Sequence, residues 1–165
     1  MTIQVGDRLP QSTFRTMGPE GRPVEKTTDD VFKGRKVVLV AVPGAFTPTC
    51  HRNHLPGYVS QAAAIRAKGV DAIVVTAVND VFVMDAWAKA SGAGEGELEF
   101  ISDGNGDFAK ALGLTMDGSG FGLGTRSQRY SMVVEDGVVK AINLEDAPSK
   151  ADVSGAENLL KQLSA

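Results

Sequence analysis

At 165 residues, with 42% apolar and 22% charged side chains, the chain has room for one domain with a real core but not comfortably for two, and no sign of extensive disorder. A net charge of −3 argues against a nucleic-acid partner and against a polybasic membrane patch. One cysteine excludes an internal disulfide, residues 1–10 lack the apolar core of a secretory signal, and no apolar run approaches the ~20 residues of a membrane span, so the expected setting is a reducing compartment, the cytoplasm.

Residues 1–34 are polar and turn-rich. Residues 12–16 and 22–26 are expected to pair as a hairpin around 18–21, although Pro10, Pro19 and Pro23 restrict pairing. Asp29, Asp30 and Gly34 bracket a short turn. Lys36–Val42 (KVVLVAV) reads as a buried strand and leads into PGAFTPTC, residues 43–50, which holds the only cysteine. The following segment has helical composition, with a kink or break expected at Pro56-Gly57 and a second helical piece, 58–68, stopped by Gly69. Residues 70–78 (VDAIVVTAV) form a second buried strand. Asn79 or Asp80 caps a helix over 81–91 that ends at Gly92. That helix carries Val81, Phe82, Met84, Ala86, Trp87 and Ala88, is apolar on more than one face, and so is deeply buried or touches a partner.

A loop with Gly92, Gly94 and Gly96 precedes a short strand, 98–102. A short helix, Asp107–Leu112, closes at Gly113, and a glycine-rich loop runs from 118 to 124. Residues 130–135 and 138–143 flank Asp136-Gly137, a strong two-residue hairpin signal. In the last helix Ser154 and Glu157 have capping-box spacing, and Ala156, Leu159, Leu160 and Leu163 mark an apolar stripe. Alternating strands and helices that finish in a hairpin and a helix give an α/β fold with a mixed central sheet flanked by helices, one domain over 1–165.

A lone cysteine is most often a small buried hydrophobe. Here Thr47 and Pro48 have the character of an N-cap and a first helical residue, which puts Cys50 in the first helical turn. Unpaired N–H groups and the positive end of the helix dipole stabilise a thiolate there, and the thiolate is the nucleophile. Cys50, His51 and His54 are close in sequence, but a structural zinc site takes four ligands in separated pairs, and the chain has two histidines. A Cys–His hydrolase draws its histidine from elsewhere in the fold, whereas both histidines here flank the cysteine. C-x-x-C is absent, so no dithiol chemistry arises within the chain, and a single oxidisable thiolate rescued from outside remains. The loop GSGFGLG precedes a strand, whereas a dinucleotide loop follows one and opens a helix. It is expected instead to turn the chain and deliver Arg126 or Arg129 to the strand entrance; residue pattern alone leaves these two even.

PGAFTPTCHRNHLPGY resembles the peroxidatic signature of the peroxiredoxins, in the form of the peroxiredoxin-5 (type II) subfamily. Pro43, Thr47 and Cys50 meet its P-x-x-x-T-x-x-C spacing, and VNDVFVMDAWAK, DGNGDFAKALGL and TRSQRYSMVVEDGVVKAINLE are similar to further segments of that subfamily. The resemblance runs from about residue 36 to the C-terminal helix. It implies a thioredoxin fold and a thiol-dependent peroxidase acting on hydrogen peroxide and alkyl hydroperoxides through a sulfenic acid, with no cofactor and no metal. It further implies that Arg129 holds the thiolate and polarises the peroxide, that Thr47 hydrogen-bonds at the same place, that Pro43 shields the site, and that Gly44 and the backbone N–H groups of Thr49 and Cys50 meet the substrate. Where relatives carry a resolving cysteine, this chain has Val153 or Val75, so it resembles a one-Cys member reduced in trans by glutathione, glutaredoxin or thioredoxin. Many members are homodimers. A reading of another class, a redox sensor or chaperone-like interaction protein, would use the same cysteine without turnover; peroxide consumption with glutathione and glutaredoxin separates the two.

Overall fold

The computed structural model describes residues 2–93 and 98–164. Gly94 and Gly96 of the expected glycine loop lie outside them. Seven strands form one sheet in the order β2-β1-β5-β4-β3-β8-β9, comprising β1 (Thr13–Met17), β2 (Pro23–Thr27), β3 (Lys36–Val42), β4 (Ala72–Ala77), β5 (Glu99–Ser102), β8 (Tyr130–Glu135) and β9 (Val138–Leu144). β3, β4 and β5 are parallel neighbours; β8 pairs antiparallel with β3, and β1 antiparallel with β5. The sheet is therefore mixed, as expected from crossovers combined with tight hairpins.

Alternation along the central strands builds a core on each face of the sheet. Val38, Val40 and Val42 of β3 face one side with Ile73 and Val75 of β4, under α2 (Leu55–Arg66), α3 (Val81–Ala90) and α5 (Ala156–Leu163). Val37, Leu39 and Ala41 face the other, with Val31 and Phe32 of α1 (Thr28–Phe32) and Phe108 and Leu112 of α4 (Asp107–Leu112). A strand buried on both faces has no polar positions, which is why KVVLVAV reads as an unbroken apolar run. Cys50 belongs to the first of these cores.

The first hairpin forms one residue later than expected, Thr13 opposite Thr27. The turn expected at 29–34 is instead the one-turn helix α1, held by a reciprocal capping box between Thr27 and Asp30. Asp136 (φ 48°) and Gly137 (φ 79°) make the tight turn between β8 and β9, both in the left-handed region that such turns need. The glycine-rich loop is the tip of a separate two-stranded hairpin, β6 (Thr115–Asp117) with β7 (Thr125–Ser127).

Two other expectations change. The helix does not break at Pro56-Gly57. Cys50–His54 winds as a π-helical turn, the Leu55 N–H donates to the Cys50 carbonyl, and Pro56 sits at the start of α2, where its missing N–H leaves no bond unmade. A proline ring crowds the carbonyl four residues back, and a wider preceding turn relieves it. Ser154 does not cap α5; Gly155 stands at the N-cap, and Ser154 bonds to Glu145 instead. Among the described residues no helix is long and apolar enough to cross a membrane.

Candidate active site

β3 delivers the chain to the site at residue 42. The next five residues turn sharply, with Phe46 at φ 62°, a left-handed conformation that bulky residues adopt only when their surroundings hold them there. Two contacts do so. The Ala45 N–H donates to Asn79 Oδ1 at 2.9 Å, and the Phe46 ring lies 5.5 Å from the His51 ring. Asn79 thus ties the turn to the end of β4, while Asp80 supplies the cap of α3, accepting from the Val83 N–H. The chain is helical from Pro48, and the His51 N–H donates to the Thr47 carbonyl at 2.8 Å. Cys50 accordingly lies in the first helical turn, as the sequence predicts.

The expected side-chain cap is absent. The Thr47 hydroxyl donates back to the Gly44 carbonyl at 2.6 Å. Its proton is committed there, and its oxygen is left as an acceptor.

Cys50 is fully buried. Its Sγ accepts from Arg129 Nη2 at 2.9 Å. The same guanidinium is 2% exposed and meets His54 Nδ1 through Nη1 at 2.8 Å and the Pro148 carbonyl through Nη2 at 3.0 Å. Such a fork, holding several acceptors in one plane, is what arginine offers and lysine does not. Arginine only donates, so His54 Nδ1 is the acceptor and Nε2 carries the proton, which it gives to the Ser154 carbonyl at 3.0 Å. The Tyr58 hydroxyl donates to that carbonyl too. Ser154 in turn donates from its N–H (2.8 Å) and its hydroxyl (2.6 Å) to Oε2 of the buried Glu145. A continuous polar chain therefore runs from Cys50 through Arg129 and His54 to the segment before α5.

Of the six residues singled out from sequence, Arg129 and Cys50 touch, and Thr47 and Gly44 share a hydrogen bond. Pro43 is buried at the end of β3 and offers its carbonyl to Arg126 Nη1 at 3.3 Å. The Thr49 hydroxyl donates to the Ser149 carbonyl at 3.4 Å, on the same segment as Pro148. Both arginines left even by the residue pattern reach the site, Arg129 at the sulfur and Arg126 at the loop. With zinc and hydrolase roles set aside, residue pattern assigns His54 no function, and its imidazole lies buried in the core. Its i, i+4 spacing to Tyr58 was the available signal that the two share a face, and their rings lie 5.6 Å apart. His51 turns away from the sulfur and accepts from Trp87 Nε1 at 3.0 Å.

Burial pulls the His54 imidazole from 6.5 to about 4; the Arg129 charge adds to this and the Ser154 carbonyl opposes it. The folded protein then holds His54 neutral at pH values where the unfolded chain protonates it. Stability should fall as pH drops from about 6.5 to about 4, by roughly 3 kcal/mol from this group, and no further below. Urea midpoints measured across that range should slope in wild type and flatten in His54→Gln. Equal slopes would mean that other groups carry the effect.

The Redoxin family model matches residues 4–160. The chloroplastic peroxiredoxin-2E-2 of Oryza sativa subsp. japonica is 48% identical over 165 residues, covering 98% of this chain and 73% of that protein. The hybrid peroxiredoxin hyPrx5 of Haemophilus influenzae is 41% identical over 165 residues, 99% of this chain and 67% of that protein. Among solved structures, reduced Prx3 of Vibrio vulnificus in complex with hydrogen peroxide superposes with a TM-score of 0.92 at 49% identity, over 98% of this chain and 99% of that one. With its thioredoxin-fold sheet and its single cysteine, the chain belongs to the peroxiredoxins, in their type II, peroxiredoxin-5-like branch, and is a thiol-dependent peroxidase of one-Cys form.

Proposed function

We propose that Cys50 is the peroxidatic residue and that it is reset by a thiol from outside the chain. The observation that carries this reading is the hydrogen bond from buried Arg129 to Cys50 Sγ. As a thiolate, Cys50 attacks the terminal oxygen of a hydroperoxide. The S–O bond forms, the O–O bond breaks, and the leaving oxygen takes a proton and departs as water or an alcohol. Arg129 stabilises the sulfur and the oxygen on which charge develops. Thr47 Oγ1, its own proton given to Gly44, accepts from the peroxide O–H. Pro43 keeps water out, and the N–H groups of Thr49 and Cys50, with the Gly44 backbone, meet the peroxide oxygens at the helix start.

Ionisation of the sulfur is a small part of this. For any thiol, a pKa lowered from about 8.5 to about 6 raises the thiolate fraction near neutrality by roughly 30-fold, and a Brønsted slope of about 0.4–0.5, borrowed from disulfide exchange, takes back roughly tenfold. Most of the rate must therefore come from fixed donors aimed at the breaking O–O bond.

The sulfenic acid has no second cysteine to condense with. Glutathione is the abundant small thiol of a reducing compartment such as the cytoplasm. Its thiolate attacks the Cys50 sulfur, the S–S bond forms and water leaves; glutaredoxin or more glutathione then releases Cys50. Intact mass spectrometry after one equivalent of peroxide plus glutathione should find a Cys50–glutathione adduct. If no adduct forms and thioredoxin alone sustains turnover, the reductant is wrong and the peroxidase reading stands. A homodimer fits Phe46 in the site loop (47% exposed) and Phe82 on α3 (62%), two of the three exposed phenylalanines among the described residues. Trp87, part of the sequence case for an interface, is fully buried against Phe100 and contributes nothing to that surface. Light scattering at micromolar concentration should report twice the chain mass; a monomer would count against the pairing.

A further inference from the structure

We propose that Arg126 is a positioning residue for peroxide reduction, acting through the backbone of Pro43 and Gly44, and that residue 44 must be glycine to admit it. The inference rests on the reading of Cys50 as the peroxidatic residue. Arg126 lies on β7, in the small hairpin outside the main sheet, opposite Met116. Its Nε–H donates to the Leu123 carbonyl at 2.9 Å, which fixes the direction of the side chain, and Nη1 donates to the Pro43 carbonyl at 3.3 Å. The guanidinium lies so close over Gly44 that a Cβ there would sit 2.8 Å from Nη1 and 3.0 Å from Thr47 Cγ2. Real Cβ atoms do not approach other atoms that closely.

The two carbonyls of this turn thus have separate holders. Pro43 O is held from across the site by Arg126. Gly44 O is held by the Thr47 hydroxyl, and that bond decides which way the hydroxyl proton points. The position of Gly44 therefore sets the orientation of the group that receives the peroxide. Without Arg126 the Pro43 carbonyl turns to water and the turn loses its tie to the β6–β7 hairpin. Arg126 makes these bonds to carbonyls, while the bond to sulfur is made by Arg129. Its loss should slow attack on peroxide and spare the reactivity of the sulfur toward electrophiles that need no oriented donors.

Gly44 supplies a second route to the same loss. A methyl at 44 would overlap the end of the flexible Arg126 side chain most, at 2.8 Å, and press on the Thr47 methyl at 3.0 Å, so the guanidinium yields first and the backbone stays in place. Gly44→Ala should then behave as a loss of Arg126.

The test compares two rate constants of the reduced protein, one for hydrogen peroxide and one for iodoacetamide, in Arg126→Ala, Gly44→Ala and the double variant. The peroxide rate should fall about tenfold or more in each single variant, since small misplacements of reacting groups carry penalties of this size or larger. The iodoacetamide rate should stay within about twofold. The double variant should be no slower than the poorer single one, because both remove the same contact. Arg126→Lys, which keeps one donor for Pro43 O, should recover most of the loss and serves as the readout if Arg126→Ala does not fold. A wild-type peroxide rate in Arg126→Ala, equal falls with both reagents, or losses that multiply in the double variant would each overturn the inference. Peroxide turnover in Cys50→Ser would instead overturn the reading beneath it.

Discussion

Cys50→Ser is expected to abolish peroxide reduction and leave the fold in place. The chain has no other thiol, so no second nucleophile can substitute. A serine hydroxyl at this position stays protonated and does not attack the O–O bond. The replacement nearly keeps the volume in a fully buried site, and Arg129 Nη2 can donate to the new oxygen as it does to sulfur. The penalty should be about 1 kcal/mol, which for a chain of this size moves the melting temperature by roughly 2–4 °C. Loss of activity with that small a change in Tm separates chemistry from unfolding. Peroxide consumption and a thermal melt, run on the same preparation, measure both.

Arg129→Lys should cost far more than Arg126→Lys. Lysine keeps the charge at either position, so the difference tests geometry. At 129 one guanidinium serves Cys50 Sγ, His54 Nδ1 and the Pro148 carbonyl, and an ammonium on a flexible stem cannot reach all three in one plane. The residue is buried, so whichever acceptor is dropped finds little water to replace it. We expect kcat/KM for peroxide to fall by roughly 10²–10³, the range for removing one preorganised donor from a reacting centre. At 126 the guanidinium donates to two carbonyls, and a lysine can keep one of them. A loss of within about tenfold is expected there. Steady-state kinetics on the two variants decide the matter, and equal losses would mean that the charge, not the fork, is what position 129 supplies.

What could be read from the sequence was local. Lys36–Val42 and Asp107–Leu112 were placed to the residue, because an unbroken apolar run and a glycine stop carry their own signals. Asp136-Gly137 announced its turn because few other pairs accept two positive φ angles. The place of Cys50 in the first helical turn followed from Thr47 and Pro48. The misses came from tertiary competition. Ser154 has capping-box spacing to Glu157, but the Glu145 carboxylate, reaching it from the end of β9, wins its hydroxyl. Pro56-Gly57 signals a kink or a break, and the chain instead absorbs the proline in the wider turn before it. α1 was missed although Thr27 and Asp30 hold its signal, since a one-turn helix leaves no periodicity to detect. The Arg129–His54 bond joins residues 75 apart, and no spacing rule links them. The apolar pattern of the third helix left burial and a partner contact both open, and Trp87 takes the first, packed on Phe100 and donating to His51.

The most direct measurement is a titration of the reduced protein with hydrogen peroxide in the absence of added thiol, followed by intact mass and peptide mapping with a sulfenic-acid trap. The expected result is one peroxide consumed per chain at low ratios, with one oxygen carried on the peptide containing Cys50 and captured by the trap. Excess peroxide should then add a second oxygen at the same sulfur, since nothing within the chain intercepts the sulfenic acid. Peroxide consumed while Cys50 stays unmodified, or equal consumption by Cys50→Ser, would contradict the assignment of Cys50 as the residue that reduces it.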